Sequence, residues 1–165
     1  MRVVDSRNHD ERPRGTRITL AVIHCISLPP GEYGGDAIER LFTNRLEPHA
    51  HPYFREIHAL KVSAHFLVRR DGELVQFVPV ARRAWHAGAS SWRGRSRCND
   101  FSVGIELEGT EHEPFEDAQY AALIALLRKL ALPQIAAHSD IAPGRKSDPG
   151  AHFEWPRVLG ALAAY

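Results

Sequence analysis

The sequence has few cysteines, no excess of charge of either sign and no long hydrophobic run. Two cysteines in 165 residues favour a protein with reduced thiols over one held together by disulfides. The formal net charge of +1 argues against a broad nucleic-acid-binding surface, which needs a clear basic excess. No segment approaches the roughly 20 apolar residues of a membrane span. Residues 1–17 lack the apolar core of a secretion signal, so we expect a cytoplasmic protein.

The length suits one domain, to which we assign residues 1–165, with a polar lead over residues 1–16. Alternating or continuous apolar residues predict strands at 18–23, 62–68, 74–78, 102–108 and 134–137. Helical periodicity and end signals predict helices at 36–44, 116–132 and 155–164. Turn residues predict a hairpin at 70–73, loops at 28–35, 80–100 and 138–151, and an irregular segment at 47–56. The predicted fold class is mixed α/β, with a central mixed β-sheet and α-helices packed against it.

Two of the ten histidines follow predicted strands, at the sheet edge where α/β folds bind ligands. His24 follows the strand at 18–23, His138 follows the strand at 134–137, and Asp148 comes ten residues later. Two histidines and a carboxylate with one open position can form a catalytic zinc site. A histidine at a strand end is more often a structural residue, so the spacing alone leaves both interpretations open.

Glu106 lies in the middle of a predicted strand, on the same face as Gly104 and Glu108. Burial would raise its pKa toward the range of a general base, and Gly104 would leave room for a substrate. The alternative is a carboxylate paired with a buried arginine. Glu108 competes for the same role, but it is nearer the strand end and we expect it to be more solvated. Lys146 can stabilise a developing oxyanion, or it can be a solvated loop residue.

Five stretches of the chain resemble the type 2 N-acetylmuramoyl-L-alanine amidases. They are Val22–Gly31, Val62–Phe66, Trp85–Gly88, Cys98–Gly109 and His138–Gly150. The resemblance runs from about Arg17 to Trp155. It is strongest to the cytoplasmic branch that acts on 1,6-anhydro-N-acetylmuramoyl peptides in peptidoglycan recycling.

The resemblance implies that His24, His138 and Asp148 bind Zn²⁺, with Glu106 and Lys146 as the catalytic pair. It also implies the fold shared by these amidases and the peptidoglycan recognition proteins. Where the family is expected to have asparagine after the first ligand, this chain has Cys25, so no substrate hydrogen bond is assigned to that position. Adjacent strand residues point to opposite faces, which argues against a contact between Cys25 and the metal.

For the substrate, we expect soluble anhydromuramyl peptides bound by a monomer. Trp85 offers an aromatic face for the sugar, and Lys61 and Arg97 are candidate partners for the carboxylates of the stem peptide. Three other functions are alternatives. They are a muropeptide-binding module without catalysis, a lytic amidase acting on intact cell wall, and a zinc peptidase of another class, whose usual motifs are absent.

Overall fold

The computed structural model describes residues 1–165 and is built on a six-stranded sheet. The strands are β1 (Arg2–Val3), β2 (His9–Asp10), β3 (Leu20–Ile26), β4 (Phe66–Val68), β5 (Leu74–Gln76), β6 (Arg83–Ala84), β7 (Ser91–Trp92), β8 (Arg95–Ser96), β9 (Ser102–Glu108) and β10 (Gln134–Ala137). The helices are α1 (Ala37–Phe42), α2 (Pro52–Ile57), α3 (Asp117–Leu130), α4 (His138–Ile141) and α5 (Trp155–Ala163).

The central sheet has the order β1-β5-β4-β9-β3-β10. The β4–β5 hairpin is antiparallel and every other neighbouring pair is parallel, so the predicted mixed sheet is confirmed. Two small antiparallel pairs, β2–β6 and β7–β8, lie outside it.

The two faces of the sheet carry different layers. Val103, Ile105 and Leu107 of β9 pack in one core with the apolar stripe of α3, including Leu123 and Leu127. The opposite face is partly covered by α1 and α2, whose apolar residues form a second core with β4 and β5. The even-numbered residues of β9, Gly104 and Glu106 among them, therefore face away from α3.

The longest predicted helix is confirmed as α3, and its ends follow from local signals. Glu116 and Gln119 form a capping box at its start. At its end Ala131 adopts a left-handed conformation, and Pro133 follows. None of the helices is long and apolar enough to cross a membrane.

Three predictions of local structure were wrong. Residues 47–56 are not wholly irregular, because His51 caps α2 through a hydrogen bond from the Tyr53 amide and Pro52 starts the helix. The segment 138–151 begins with the short helix α4 rather than a loop. The strand predicted at 62–68 is regular only over β4, since the Ser63 amide instead donates to the Trp85 carbonyl.

The strand β3 runs further than predicted, so His24 lies within it rather than after it. In the parallel register His24 pairs with Glu106 of β9 and Ile23 pairs with Ala137 of β10. His138, the next residue after Ala137, therefore lies at the same level as His24. The topology brings three candidate residues together, His24 on β3, Glu106 on β9 and His138 directly after β10.

The polar N-terminal lead is tied to the body of the protein. β1 extends the central sheet beside β5, and β2 pairs with β6. The Arg12 guanidinium donates hydrogen bonds to four backbone carbonyl oxygens, those of Val80, Asn99, Asp100 and Ser102, over distances of 2.9–3.1 Å. Arg12 thus crosslinks both ends of the long segment between β5 and β9.

We predict that Arg12→Met destabilises the protein by roughly 1–3 kcal/mol, because removing a half-buried charged donor leaves several carbonyls without a partner. Urea unfolding measures the change. Arg14→Met is the matched control, since Arg14 is exposed and should change stability by less than about 0.5 kcal/mol. Equal stability of the two variants would show that the Arg12 crosslink contributes nothing.

Candidate active site

A pocket of about 620 Å³ opens at the level where His24, Glu106 and His138 meet. This volume is in the usual range for small-molecule sites. One part of its lining is apolar and comes from α1, α2 and the loop before α1: Leu28, Pro30, Leu41, Phe42, Tyr53 and Ile57. The other part is polar and comes from the ends of β3 and β9 and from the segment after α4, which carries Lys146 and Asp148.

The side chains of His24, His138 and Asp148 converge on one point beside this pocket. The Nδ1 atoms of the two histidines are 2.9 Å apart. An Asp148 carboxylate oxygen lies 3.3 Å from Nδ1 of His24 and 3.2 Å from Nδ1 of His138. For zinc bound at 2.0–2.1 Å in a tetrahedron, neighbouring ligand atoms are about 3.3 Å apart. The three separations are close to that value.

The hydrogen bonds around the histidines indicate what the convergent atoms are. His138 Nε2 lies 3.0 Å from the Ala87 carbonyl oxygen, which can only accept, so a neutral His138 presents a lone pair at Nδ1. Burial lowers the pKa of His24, against the raising effect of Asp148, and so favours its neutral form. The convergent atoms are therefore a carboxylate oxygen of Asp148, the Nδ1 lone pair of His138 and Nδ1 of His24. The donor set therefore fits a cation with nitrogen and oxygen ligands.

Glu106 is the carboxylate next to this cluster. It is 8% exposed, and its Oε2 is buried without a hydrogen-bond partner. Burial raises the pKa of Glu106 well above its ordinary value, the Asp148 carboxylate raises it further, and Lys146 opposes the shift. No arginine pairs with Glu106, so the alternative of a structural ion pair does not apply to it. A carboxylate in this state can accept a proton from a molecule in the pocket.

The expectation that Glu108 is solvated was wrong. Glu108 is 2% exposed, and its carboxylate accepts hydrogen bonds from the Arg69 guanidinium at 2.8 Å and from the amides of Gly34 and Arg70 at 3.0 and 3.1 Å. It is the carboxylate paired with a buried arginine. Because its oxygens already accept hydrogen bonds that hold loops together, Glu108 is not suited to act as a base.

Lys146 is exposed and lines the pocket with Asp148. Its amide donates to the Ala142 carbonyl, which folds the segment after α4 back over the site. Its charge acts on both Glu106 and His24, since it lowers the pKa of each. The structure therefore brings all five residues of the predicted metal and catalytic set to one pocket.

Of the predicted substrate contacts, Trp85 lines the pocket, whereas Lys61 and Arg97 do not. Lys61 is exposed between Leu60 and Val62, which do line it. The Arg97 side chain is 73% exposed, and its guanidinium lies 3.6 Å from Asp100. Cys25 lines the pocket, but its sulfur is not among the atoms that converge with His24, His138 and Asp148, and burial raises the pKa of its thiol.

The prediction that Gly104 leaves room for substrate was wrong, and its correction reveals a residue that sequence reasoning missed. A Cβ on Gly104 would lie 2.4 Å from Cγ of His86, so the imidazole of His86 occupies that space. His86 Nδ1 lies 2.9 Å from Nε2 of His24. The motif Trp85–Gly88 contained the signal, but no chemical role was assigned to its histidine.

The sequence matches the model of the N-acetylmuramoyl-L-alanine amidase family over residues 14–151. It is 56% identical to the 1,6-anhydro-N-acetylmuramyl-L-alanine amidase AmpD of Enterobacter cloacae, over 98% of this chain and 89% of that protein.

Two solved structures extend this likeness. The crystal structure of a selenomethionine derivative of AmpD superposes with a TM-score of 0.95 at 52% identity, covering 98% of this chain and 93% of that one. The E. coli amidase AmiD, in complex with its substrate anhydro-N-acetylmuramic acid-L-Ala-D-gamma-Glu-L-Lys, superposes with a TM-score of 0.65 at 29% identity, covering 92% of this chain and 60% of that one.

We predict that the protein binds one equivalent of a divalent transition-metal ion and that His24→Ala combined with His138→Ala abolishes binding, because a single carboxylate is a weak site. Elemental analysis after dialysis gives the stoichiometry. His58→Ala, at an exposed histidine outside the pocket, should retain the metal. Full retention by the double variant would show that the ion lies elsewhere.

Proposed function

The chain belongs to the N-acetylmuramoyl-L-alanine amidase family, and from this premise we propose that it is a zinc-dependent hydrolase of peptidoglycan recycling. Its substrate would be a 1,6-anhydro-N-acetylmuramoyl peptide, cleaved at the amide between the lactyl group and L-alanine. The observation that carries the proposal is the convergence of two imidazole nitrogens and a carboxylate beside a buried, unpaired glutamate. The names of the relatives supply the substrate class.

Zinc is the metal that best fits the donor set. His24, His138 and Asp148 would hold it, leaving one position open, as in other catalytic zinc sites. When bound, the metal supplies Lewis acidity, which lowers the pKa of water from about 15.7 toward roughly 7. The remaining requirements of amide hydrolysis fall on the side chains of the protein.

Glu106 is proposed as the general base. Attack of water on the lactyl carbonyl carbon releases a proton, and the buried Oε2 of Glu106 has no hydrogen bond to break before it accepts that proton. The negative charge that develops on the carbonyl oxygen needs a positive partner, which Lys146 provides from the rim of the pocket. Glu106 then returns the proton to the alanine nitrogen as the C–N bond breaks, so the amine leaves without negative charge.

The two parts of the pocket suit the two halves of such a substrate. The aromatic ring of Trp85 and the apolar residues from α1 and α2 offer a surface for the faces of the sugar ring. Lys61 and Arg97 remain predicted contacts for the stem-peptide carboxylates. Both side chains are exposed and lie outside the pocket lining.

Two other functions share this fold and differ in what they require. A binding module without catalysis has no need for a buried, unpaired Glu106, so the state of that side chain favours an enzyme. A lytic amidase would act on intact wall, whereas the relatives at more than half identity are named for the anhydro sugar. Action as a cytoplasmic monomer is part of the proposal.

We predict that Glu106→Gln lowers kcat by about 10²- to 10⁴-fold, because glutamine keeps the volume but cannot accept the proton. Metal content and melting temperature should stay close to those of the wild type, since Oε2 makes no hydrogen bond. The measurements are turnover of an anhydromuramyl tripeptide, elemental analysis and thermal unfolding.

Glu108→Gln separates the two glutamates. It should lower the melting temperature by weakening the Arg69 ion pair and still turn over substrate below that temperature. An inactive, fully stable Glu108→Gln beside an active Glu106→Gln would reverse the assignment. Activity in both variants would remove glutamate from the mechanism.

We predict that the protein releases peptide from soluble anhydromuramyl peptides faster than from intact sacculi. The physical reason is that the pocket holding the candidate site is sized for a small ligand. The test compares both substrates at equal concentrations of cleavable bonds by mass spectrometry. Equal or faster digestion of sacculi would support the lytic-amidase interpretation instead.

A further inference from the structure

The segment Trp85–Ala87 lies against both histidines of the proposed metal site. The Ala87 carbonyl oxygen accepts from Nε2 of His138 at 3.0 Å, and the His86 imidazole contacts Nε2 of His24 at 2.9 Å. Two consecutive residues thus contact the Nε2 atoms of both candidate ligands, the ring nitrogens that point away from the metal position. The backbone oxygen of Ala87 can only accept, but the imidazole of His86 can accept or donate.

The contacts of His86 indicate which tautomers of His24 and His86 are compatible with a bound metal. Its Nδ1 faces Nε2 of His24, and its Nε2 lies 3.1 Å from Oγ of Ser102. If His24 is to direct a lone pair from Nδ1 toward Asp148 and His138, its proton must be on Nε2. His86 Nδ1 must then accept that proton's hydrogen bond, and the proton of neutral His86 must be on Nε2, where the Ser102 hydroxyl accepts it. With the protons on Nε2 of His24 and Nε2 of His86, every hydrogen bond from Ser102 through His86 and His24 to the metal position has one donor and one acceptor.

The surroundings hold the His86 ring in this orientation. The side-chain oxygen of Asn99 accepts from the backbone amides of both His86 and Ala87, at 3.1 and 2.9 Å. The ring fills the space over Gly104, where any Cβ would collide with it. The ring of His24 meets it edge-on, with centroids 5.0 Å apart. The orientation of the His86 ring is therefore restricted by the Asn99 hydrogen bonds to the backbone, by the lack of a side chain at Gly104, and by the ring's own hydrogen bonds.

We propose that His86 is a positioning residue for the metal site, accepting the Nε2–H of His24 and thereby keeping the Nδ1 lone pair of His24 available to the ion. This inference rests on the metal of the proposed function. It assigns His86 no contact with substrate and no proton transfer. Residues that orient a metal-bound histidine in this way typically change metal affinity by about 10- to 100-fold when they are replaced.

Two substitutions separate hydrogen bonding from packing. In His86→Asn the side-chain oxygen, attached to Cγ, can take the position of Nδ1 and accept from His24. In His86→Gln the amide reaches the position of Nε2 near Ser102 and leaves His24 without its acceptor. Both variants remove the ring, so a role in packing alone would affect them alike.

The experiment titrates metal-free wild type and both variants with Zn²⁺ against a chromophoric chelator. Thermal unfolding of each metal-free protein measures the effect on the fold, and the visible absorption of the Co²⁺ forms reports ligand geometry. We expect His86→Gln to weaken zinc binding about 10- to 100-fold and to alter the Co²⁺ spectrum. His86→Asn should remain within a few-fold of wild type, and the two metal-free variants should melt at similar temperatures.

Equal zinc affinity in all three proteins would overturn the positioning role and leave the proposed function intact. Equal weakening in both variants, with a matching loss of metal-free stability, would also overturn it by reducing His86 to a packing residue. Wild-type protein that does not bind zinc would overturn the proposed metal and this inference together.

Discussion

Parallel pairing of β10, β3 and β9 is the constraint on which the candidate site depends. The pairing of Ile23 with Ala137 and of His24 with Glu106 sets the level of each strand. A slip of one residue would turn every side chain of a strand to the opposite face. Ile23, Ile105 and Leu107 alternate with His24 and Glu106 and are buried in the core with α3, so such a slip would turn the two polar residues into that core. The hydrophobic core therefore maintains the register that aligns the polar residues.

Two glutamates on the same face of β9 have different roles because of what packs beside them. Glu108 lies where Arg69 and two backbone amides converge, so its charge is compensated and its hydrogen-bonding capacity is used. Glu106 is buried in the pocket with no cation in contact, and this burial raises its pKa. An uncompensated buried carboxylate costs stability. The proposed role as general base accounts for its presence beside His24, His138 and Asp148.

The long segment between β5 and β9 has little regular structure, yet its residues His86 and Ala87 contact both histidines of the site. Arg12 binds carbonyl groups near both of its ends, and Asn99 binds the amides of His86 and Ala87. Hydrogen bonds from side chains replace the backbone ladder that a strand or helix would provide. Because both cysteines are free, no disulfide holds this irregular segment, and these hydrogen bonds fix its conformation instead.

The mixed α/β class, β9 and α3 were all predictable from the sequence, as were the two histidines, the aspartate and the lysine that meet at the pocket. Periodicity reports local structure directly, and a distinctive motif contains its residues whatever surrounds them. Only the tertiary structure decided that Glu108 is paired and Glu106 is not, that His86 rather than substrate lies over Gly104, and that Arg97 stays outside the pocket. Each of these depends on contacts between residues distant in the chain, because burial and hydrogen-bond partners are properties of the packed molecule rather than of local sequence.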